Sequence, residues 1–285
     1  MKPPEPKKSF LSRLAVCSWS LQPADPAGLA SRLLELGLSR VQLDLDPLRE
    51  NAAVWSTLPA VFADAGVTVV SGMFRTVGED YTSLETIRRT GGLVPDSTWD
   101  ANWNNLQITA RNARQLGLEI VMTHAGFLPH DPADPTFGKM IGRMRQVARL
   151  FADHGLTLCC ETGQERAAAL VSFLDHLHEP NVAVNFDPAN MLLYHNGDPV
   201  SALRTIGPQV KSCHLKDAIV PTLPGAWGDE VPIGTGQVDW PAFFDTMTAI
   251  HFPGFFCFER EAGNQRLADI AAGLAFVTNL LDKQS

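Results

Sequence analysis

The 285-residue chain has no apolar run approaching the ~18 residues of a membrane span, so no membrane partner is expected. It has no excess of basic charge. Lys and Arg number 23 against 31 Asp and Glu, a formal net charge of −8. Phosphate binding needs a basic face, so nucleic acid is not the expected partner either. Cysteine is scarce: Cys17, Cys159, Cys160, Cys213 and Cys257 form no CxxC pair, which argues against a thiolate metal site. Each lies in an apolar run without framework spacing, which reads as reduced, buried thiols of a cytoplasmic protein. No GxGxxG follows the first strand-like run, which weighs against an open, doubly wound nucleotide-binding sheet. The basic, Pro-rich start MKPPEPKKSFLSRL lacks the roughly 7–15-residue apolar stretch of a signal peptide. Residues 1–12 are expected to form a mobile leader before a single domain over 13–285.

What the chain does have is apolar. Hydrophobic residues make up 45% and charged residues 19%, which excludes disorder and predicts a sizeable core. One unit recurs: a helical segment ends at glycine, one apolar residue follows, and a β-rich run begins. It occurs at Gly37, Gly66, Gly117 and Gly155. Glycine just past a helix takes the left-handed conformation that caps the helix end. The uninterrupted apolar run after it suits a strand buried on both faces, as in a parallel sheet. Residues 14–18, 181–187, 209–215 and 254–259 carry similar runs without the glycine. Between the runs, Leu267, Ile270, Leu274, Val277 and Leu281 repeat at helical spacing, as do Met144, Val147, Leu150 and Phe151. About eight βα units in this length predict an α/β fold, a (β/α)8 TIM barrel. Residues 75–100 and 218–240 read as long loops, and in a barrel both would start on the rim where active sites are built.

The polar residues that close the later strands point to chemistry. Glu161 ends the fifth run, Asp187 the sixth, His214 lies in the seventh and Glu259 ends the eighth. Their gaps are 26, 27 and 45 residues, about one βα unit each, with the long loop added to the third. Parallel strands bring equivalent heights to one rim. Three carboxylates crowded there resist ionisation together. A divalent cation resolves that conflict, and an oxygen-rich site with one imidazole suits Mn²⁺, with Mg²⁺, Co²⁺ or Zn²⁺ as alternatives. The opposing reading makes each residue a structural ion pair or polar cap. Around this set, His124 in MTHAG, Lys216 two residues after His214, Asn190 three after Asp187, and Trp19 are candidate substrate contacts. Each has a plain alternative, a rim plug, a carboxylate partner or core packing. Trp103 and Trp227 are weaker candidates for an apolar wall. Asp217 and Arg260 read as loop-end salt bridges, and Gly234 and Gly236 as permitting a tight turn.

With Glu161 in ETG, Asp187 in DPAN, His214 in HLKD, the stretch Gly234-Thr235-Gly236-Gln237-Val238-Asp239-Trp240 and Glu259 near the last strand's end, the chain resembles the xylose isomerase-like TIM-barrel superfamily of sugar isomerases and epimerases. The resemblance spans roughly residues 14–282. It implies that Glu161, Asp187, His214 and Glu259 bind one divalent metal. It also implies that Glu161 and Glu259 are acid/base residues on opposite faces of a bound ketose. Metal coordination of a carbonyl and the adjacent hydroxyl stabilises an enediolate, and a carboxylate beside the α-carbon removes its proton. Return from the other face epimerises the carbon. Return to the neighbouring carbon isomerises the sugar. Loss of a β-hydroxyl gives dehydration, so a lyase of the inosose or keto-glycoside type is the alternative.

The chain departs from the ketose 3-epimerase pattern. Ala167 stands where those enzymes carry a further Glu, Asn190 where they carry His, and Val220 where they carry Arg. That argues against a free ketose and for a differently shaped keto-sugar, a cyclitol or a keto-glycoside. The histidine-rich, multi-zinc endonuclease IV branch is disfavoured, since only His124 and His214 end strands. A non-catalytic sugar or metal binder is the remaining reading. Superfamily members are often dimers or tetramers, but no interface stripe is legible in this chain.

Overall fold

The computed structural model describes residues 7–223 and 225–283. Eight parallel strands close into a barrel: β1 (Leu14–Cys17), β2 (Arg40–Asp44), β3 (Thr68–Phe74), β4 (Ile120–Thr123), β5 (Thr157–Glu161), β6 (Val182–Phe186), β7 (Val210–Leu215) and β10 (Phe256–Phe258). The order around the barrel is β1-β10-β7-β6-β5-β4-β3-β2, so sequence neighbours pair throughout and the last strand closes on the first. Helices between the strands cover the outside. The predicted (β/α)8 barrel is the fold. All four glycines of the repeating unit have positive φ, 68°, 66°, 71° and 71° in chain order. Each therefore reverses the chain from helix to strand at a position that side chains resist.

The core lies between helices and barrel, as the apolar runs require. Leu158, Val184 and Leu215 on the strands share one buried cluster with Met144, Val147 and Phe151 of the helix Pro135–Asp153. Ile270, Val277 and Leu281 of the helix Arg266–Lys283 are buried, with Leu267 and Leu274 partly so. No described helix is long and apolar enough to cross a membrane.

Three sequence expectations need correction. Residues 7–12 are not a mobile segment: Lys7–Arg13 forms a 3-10 helix, and the rest of the expected leader, residues 1–6, lies outside the described residues. Phe10 is 1% exposed, its ring 5.0 Å from that of Phe256, and Arg13 Nη1 donates to Phe252 O at 2.6 Å. Burial of one large ring outweighed a Pro- and Lys-rich surrounding. The stretch 75–100 is not all loop, for it holds a helix, Leu84–Thr90, with a reciprocal cap between Ser83 and Thr86. Within 218–240 lies part of a two-stranded antiparallel hairpin, β8 (Asp217–Ile219) with β9 (Asp229–Val231).

Asp217 is a further correction, because it makes no salt bridge among the described residues. Its buried carboxylate accepts from the backbone N–H of Gly234 (2.9 Å), Gly236 (3.1 Å) and Val238 (3.2 Å) and from Trp240 Nε1 (3.0 Å). A Cβ on Gly236 would lie 2.2 Å from Asp217 Oδ1. The glycine there gives the carboxylate room. Arg260 does form the expected ion pairs, with Glu230 at 2.8 Å and Asp269 at 2.9 Å.

Candidate active site

Parallel strands of equal height deliver their ends to one rim, and four side chains meet there. Glu161 is the last residue of β5, Asp187 follows β6, His214 is on β7, and Glu259 follows β10. One potential ligand atom from each lies within 4.8 Å of the others. His214 Nδ1 is 2.8 Å from Glu161 Oε1, 3.2 Å from Glu259 Oε2 and 3.7 Å from Asp187 Oδ2.

Local chemistry orients each group. Asp187 caps the helix Pro188–Leu193, and its Oδ1 accepts from Ala189 N (2.8 Å) and Asn190 N (3.0 Å). That leaves Oδ2 fully buried and without a hydrogen-bond partner among the described residues, aimed at the shared centre. His214 Nε2 lies 2.7 Å from Gln42 Oε1. The oxygen can only accept, so Nε2 carries a proton, and Nδ1 is the nitrogen turned towards the three carboxylates, able to bind a cation in exchange for its own proton. Trp19 Nε1 donates to Glu259 Oε1 at 2.7 Å, and Lys216 Nζ donates to Glu259 Oε2 at 2.9 Å and to Glu261 Oε2 at 2.8 Å.

The electrostatics follow from burial and crowding. Burial pushes Asp187 up to about 6, against the pull of Lys216. Burial acts on Glu259 in the same sense, but the His214 ring and the Lys216 ammonium overrule it and hold that carboxyl well below its usual range. Burial works to neutralise His214, and the Glu259 charge raises it far above an ordinary imidazole nonetheless. Three acids, one of them with an orphaned oxygen, and one imidazole nitrogen form a donor set that fits one divalent cation with oxygen preference. A second group, Cys17 with His214 and Glu259, also meets the spacing. However, the Cys17 thiol donates to Gln42 Oε1 at 3.4 Å on the far side of the ring, and burial holds it protonated.

Glu161 and Glu259 line a cavity of about 520 Å³, and Asp187 and His214 lie buried behind them. Trp19, His124, Asn190 and Lys216 line it, as the sequence suggested. Trp103 does not. It stacks on Trp99 at 5.9 Å in the helix Asp96–Gln115. Trp227 stands one layer back, its ring 4.8 Å from that of Tyr194, which lines the cavity. Sequence reading missed Glu79, Tyr81, Gln164 and Tyr194 in the lining, and Gln42 beneath His214. Gln42 did leave a signal, a lone amide inside the apolar run Val41-Gln42-Leu43.

The profile described as xylose isomerase-like TIM barrel matches residues 31–280. A solved xylose isomerase domain protein from Planctomyces limnophilus is 30% identical and superposes with a TM-score of 0.86 over 99% of both chains. The probable 3-DHS dehydratase AsbF of Bacillus anthracis (15% identity, TM-score 0.72) and the Escherichia coli 3-keto-D-glucoside 4-epimerase YcjR (15%, 0.70) each match 94% of this chain and 99% of their own. At that identity they share the fold alone. The Escherichia coli K12 protein YihM, itself uncharacterised, is 33% identical over 96 residues, a match spanning 33% of this chain and 29% of that protein.

Proposed function

This chain belongs to the xylose isomerase-like TIM-barrel family, and from that premise we propose a divalent-metal-dependent sugar isomerase or epimerase acting by proton abstraction next to a carbonyl. The observation that carries this reading is the convergence of Glu161, Asp187, His214 and Glu259 on one centre beside a sugar-sized cavity. These four would hold the cation, Mn²⁺ by preference. When bound, it supplies positive charge to the carbonyl and neighbouring hydroxyl oxygens of the sugar.

The chain's own residues do the rest. Glu161 removes the proton from the carbon beside the carbonyl, and Glu259 serves as the second proton carrier from its own strand. Trp19 and Lys216 fix the Glu259 carboxylate, so its free lone pairs point in few directions. Met73, Phe74, Met122 and Trp19 give the cavity an apolar wall that excludes water and suits the carbon face of a ring. Asn190, Lys216 and His124 offer polar atoms to sugar oxygens. The proposed substrate is a small keto-sugar or cyclitol, and five free, buried cysteines suit the cytoplasm. Elimination is the second reading, because the same abstraction expels a β-oxygen where one is present, and AsbF supports it as a fold neighbour named for dehydration.

The test is metal analysis followed by a panel of keto-sugars, cyclitols and keto-glycosides in D2O. Deuterium entering the carbon beside the carbonyl supports the reading, and its absence with every compound refutes it. Loss of water or an aglycone, seen as new enone absorbance, selects elimination. Glu161→Gln and Glu259→Gln, made separately, should lose turnover while retaining substrate binding. A pure binder would show no turnover to lose.

A further inference from the structure

The two glutamates leave one buried acid–base pair of the cavity unused. His124, just after β4, is 9% exposed, and its Nδ1 lies 2.9 Å from Glu79 Oε1. Glu79 is firmly held. Its Oε1 also accepts from Thr76 Oγ1 (2.7 Å) and Gly92 N (2.9 Å), and the Tyr81 hydroxyl donates to Oε2 at 3.3 Å. A fixed carboxylate at Nδ1 sets the ring: Nδ1–H donates to it, and the lone pair of the neutral imidazole stays on Nε2. That Nε2 is buried and has no hydrogen-bond partner among the described residues, on a side chain that lines the cavity. A buried polar atom without a partner is unfavourable unless something arrives to meet it.

We propose that His124, oriented by Glu79, is a second acid–base station, exchanging a proton with a hydroxyl oxygen of the bound sugar while Glu161 and Glu259 handle the carbon-bound proton. This rests on the isomerase reading above. In the step, the substrate O–H bond breaks as the Nε2–H bond forms. The imidazolium charge is met by Glu79, and the proton later returns to a substrate oxygen, so no further reactant is needed. Inversion at one carbon requires no change of bonding at an oxygen. Moving a carbonyl to the next carbon, or expelling an oxygen, does require one. The pair therefore assigns the substrate to reactions of that class rather than to simple epimerisation. The titratable groups that face the ring are Glu79, Glu161 and Glu165, with the Tyr81 ring 6.2 Å away. Burial works to lower the ring's affinity for a proton, and the Glu79 hydrogen bond and charge raise it above the ordinary value. Glu79 is the positioning residue and His124 the catalytic one.

The experiment compares metal-loaded wild type with His124→Gln and Glu79→Gln in D2O. In His124→Gln, net turnover should fall by about 10²- to 10⁴-fold and at least ten times further than deuterium exchange at carbon. Glu79→Gln keeps the acceptor oxygen but removes the charge, so the limb of the pH profile that belongs to the ring should move to lower pH. ¹⁵N NMR of the ring in wild type should show the Nδ1–H tautomer. The Nε2–H tautomer, unchanged turnover, or exchange and turnover falling equally would each overturn the proposal. Wild type without exchange on any substrate would instead remove the isomerase reading beneath it.

Discussion

Gln42 Oε1 meets His214 Nε2 at 2.7 Å, across the barrel from β2 to β7, with both side chains fully buried. The contact decides which ring nitrogen faces Glu161, Asp187 and Glu259. Histidines that bind metals commonly donate their other N–H in this way, and loss of the acceptor typically weakens the site by about 10- to 100-fold. Gln42→Leu, close in size, should weaken Mn²⁺ binding by about that factor in calorimetric titration. Unaltered affinity would show that the ring needs no such partner.

Glu165 predicts a pH dependence of stability. It is buried, accepts from Leu128 N at 2.6 Å, and burial pushes its carboxyl up to about 8. The folded value lies above the unfolded one. Between about pH 5 and 8 the unfolded chain has therefore released a proton that the folded chain keeps. Stability should fall as pH rises through this window, by at most about 1.4 kcal/mol per unit from this group. Glu165→Gln keeps the acceptor and should flatten the slope. Urea unfolding of both proteins at pH 5.5 and pH 8 tests this, and equal slopes count against it.

Asp217 should anchor the loop that carries Gly234 and Gly236. Asp217→Asn replaces one acceptor oxygen with a donor that confronts backbone N–H groups, at a cost on the order of 3 kcal/mol. Gly236→Ala meets the same carboxylate from the other side, since its Cβ would lie 2.2 Å from Oδ1. Thermal melts should place both variants below wild type. If neither melts lower, the cradle is not what holds this loop.

Phe10 gives the test of the N-terminal correction. Its ring packs on Phe256 and Phe244, with the Arg13 guanidinium 4.7 Å from its centre. Phe10→Ala should lower stability by about 3–5 kcal/mol. A mobile segment would tolerate the change within error.

Strands were legible wherever a left-handed glycine preceded a doubly buried run, because that geometry restricts the residue types on both sides of the turn. The four residues at the rim were legible for a related reason: an ionisable group closing an apolar run is costly to bury and needs a partner. Glu79 left no such mark. It sits among Gly78, Asp80 and Tyr81 in a stretch of surface-like composition, and only the folding of that stretch over the rim brings it to His124. The hairpin of β8 and β9 was hidden as well, because Gly and Pro between short strands read the same in a loop. Asp217 looked like a surface acid until the backbone N–H groups around it were placed.

The order of elements, the closure of eight parallel strands and the identity of the four rim residues were set by patterns along the chain, since periodic burial and helix-ending glycines act over a few residues. Which groups face one another was not. The tilt of His214 onto Gln42, the reach of Glu79 to His124 and the wrapping of Gly236 about Asp217 join residues 172, 45 and 19 positions apart. Hydrogen bonds over such separations depend on side-chain directions to within a fraction of an ångström, and packing of the whole barrel sets those directions.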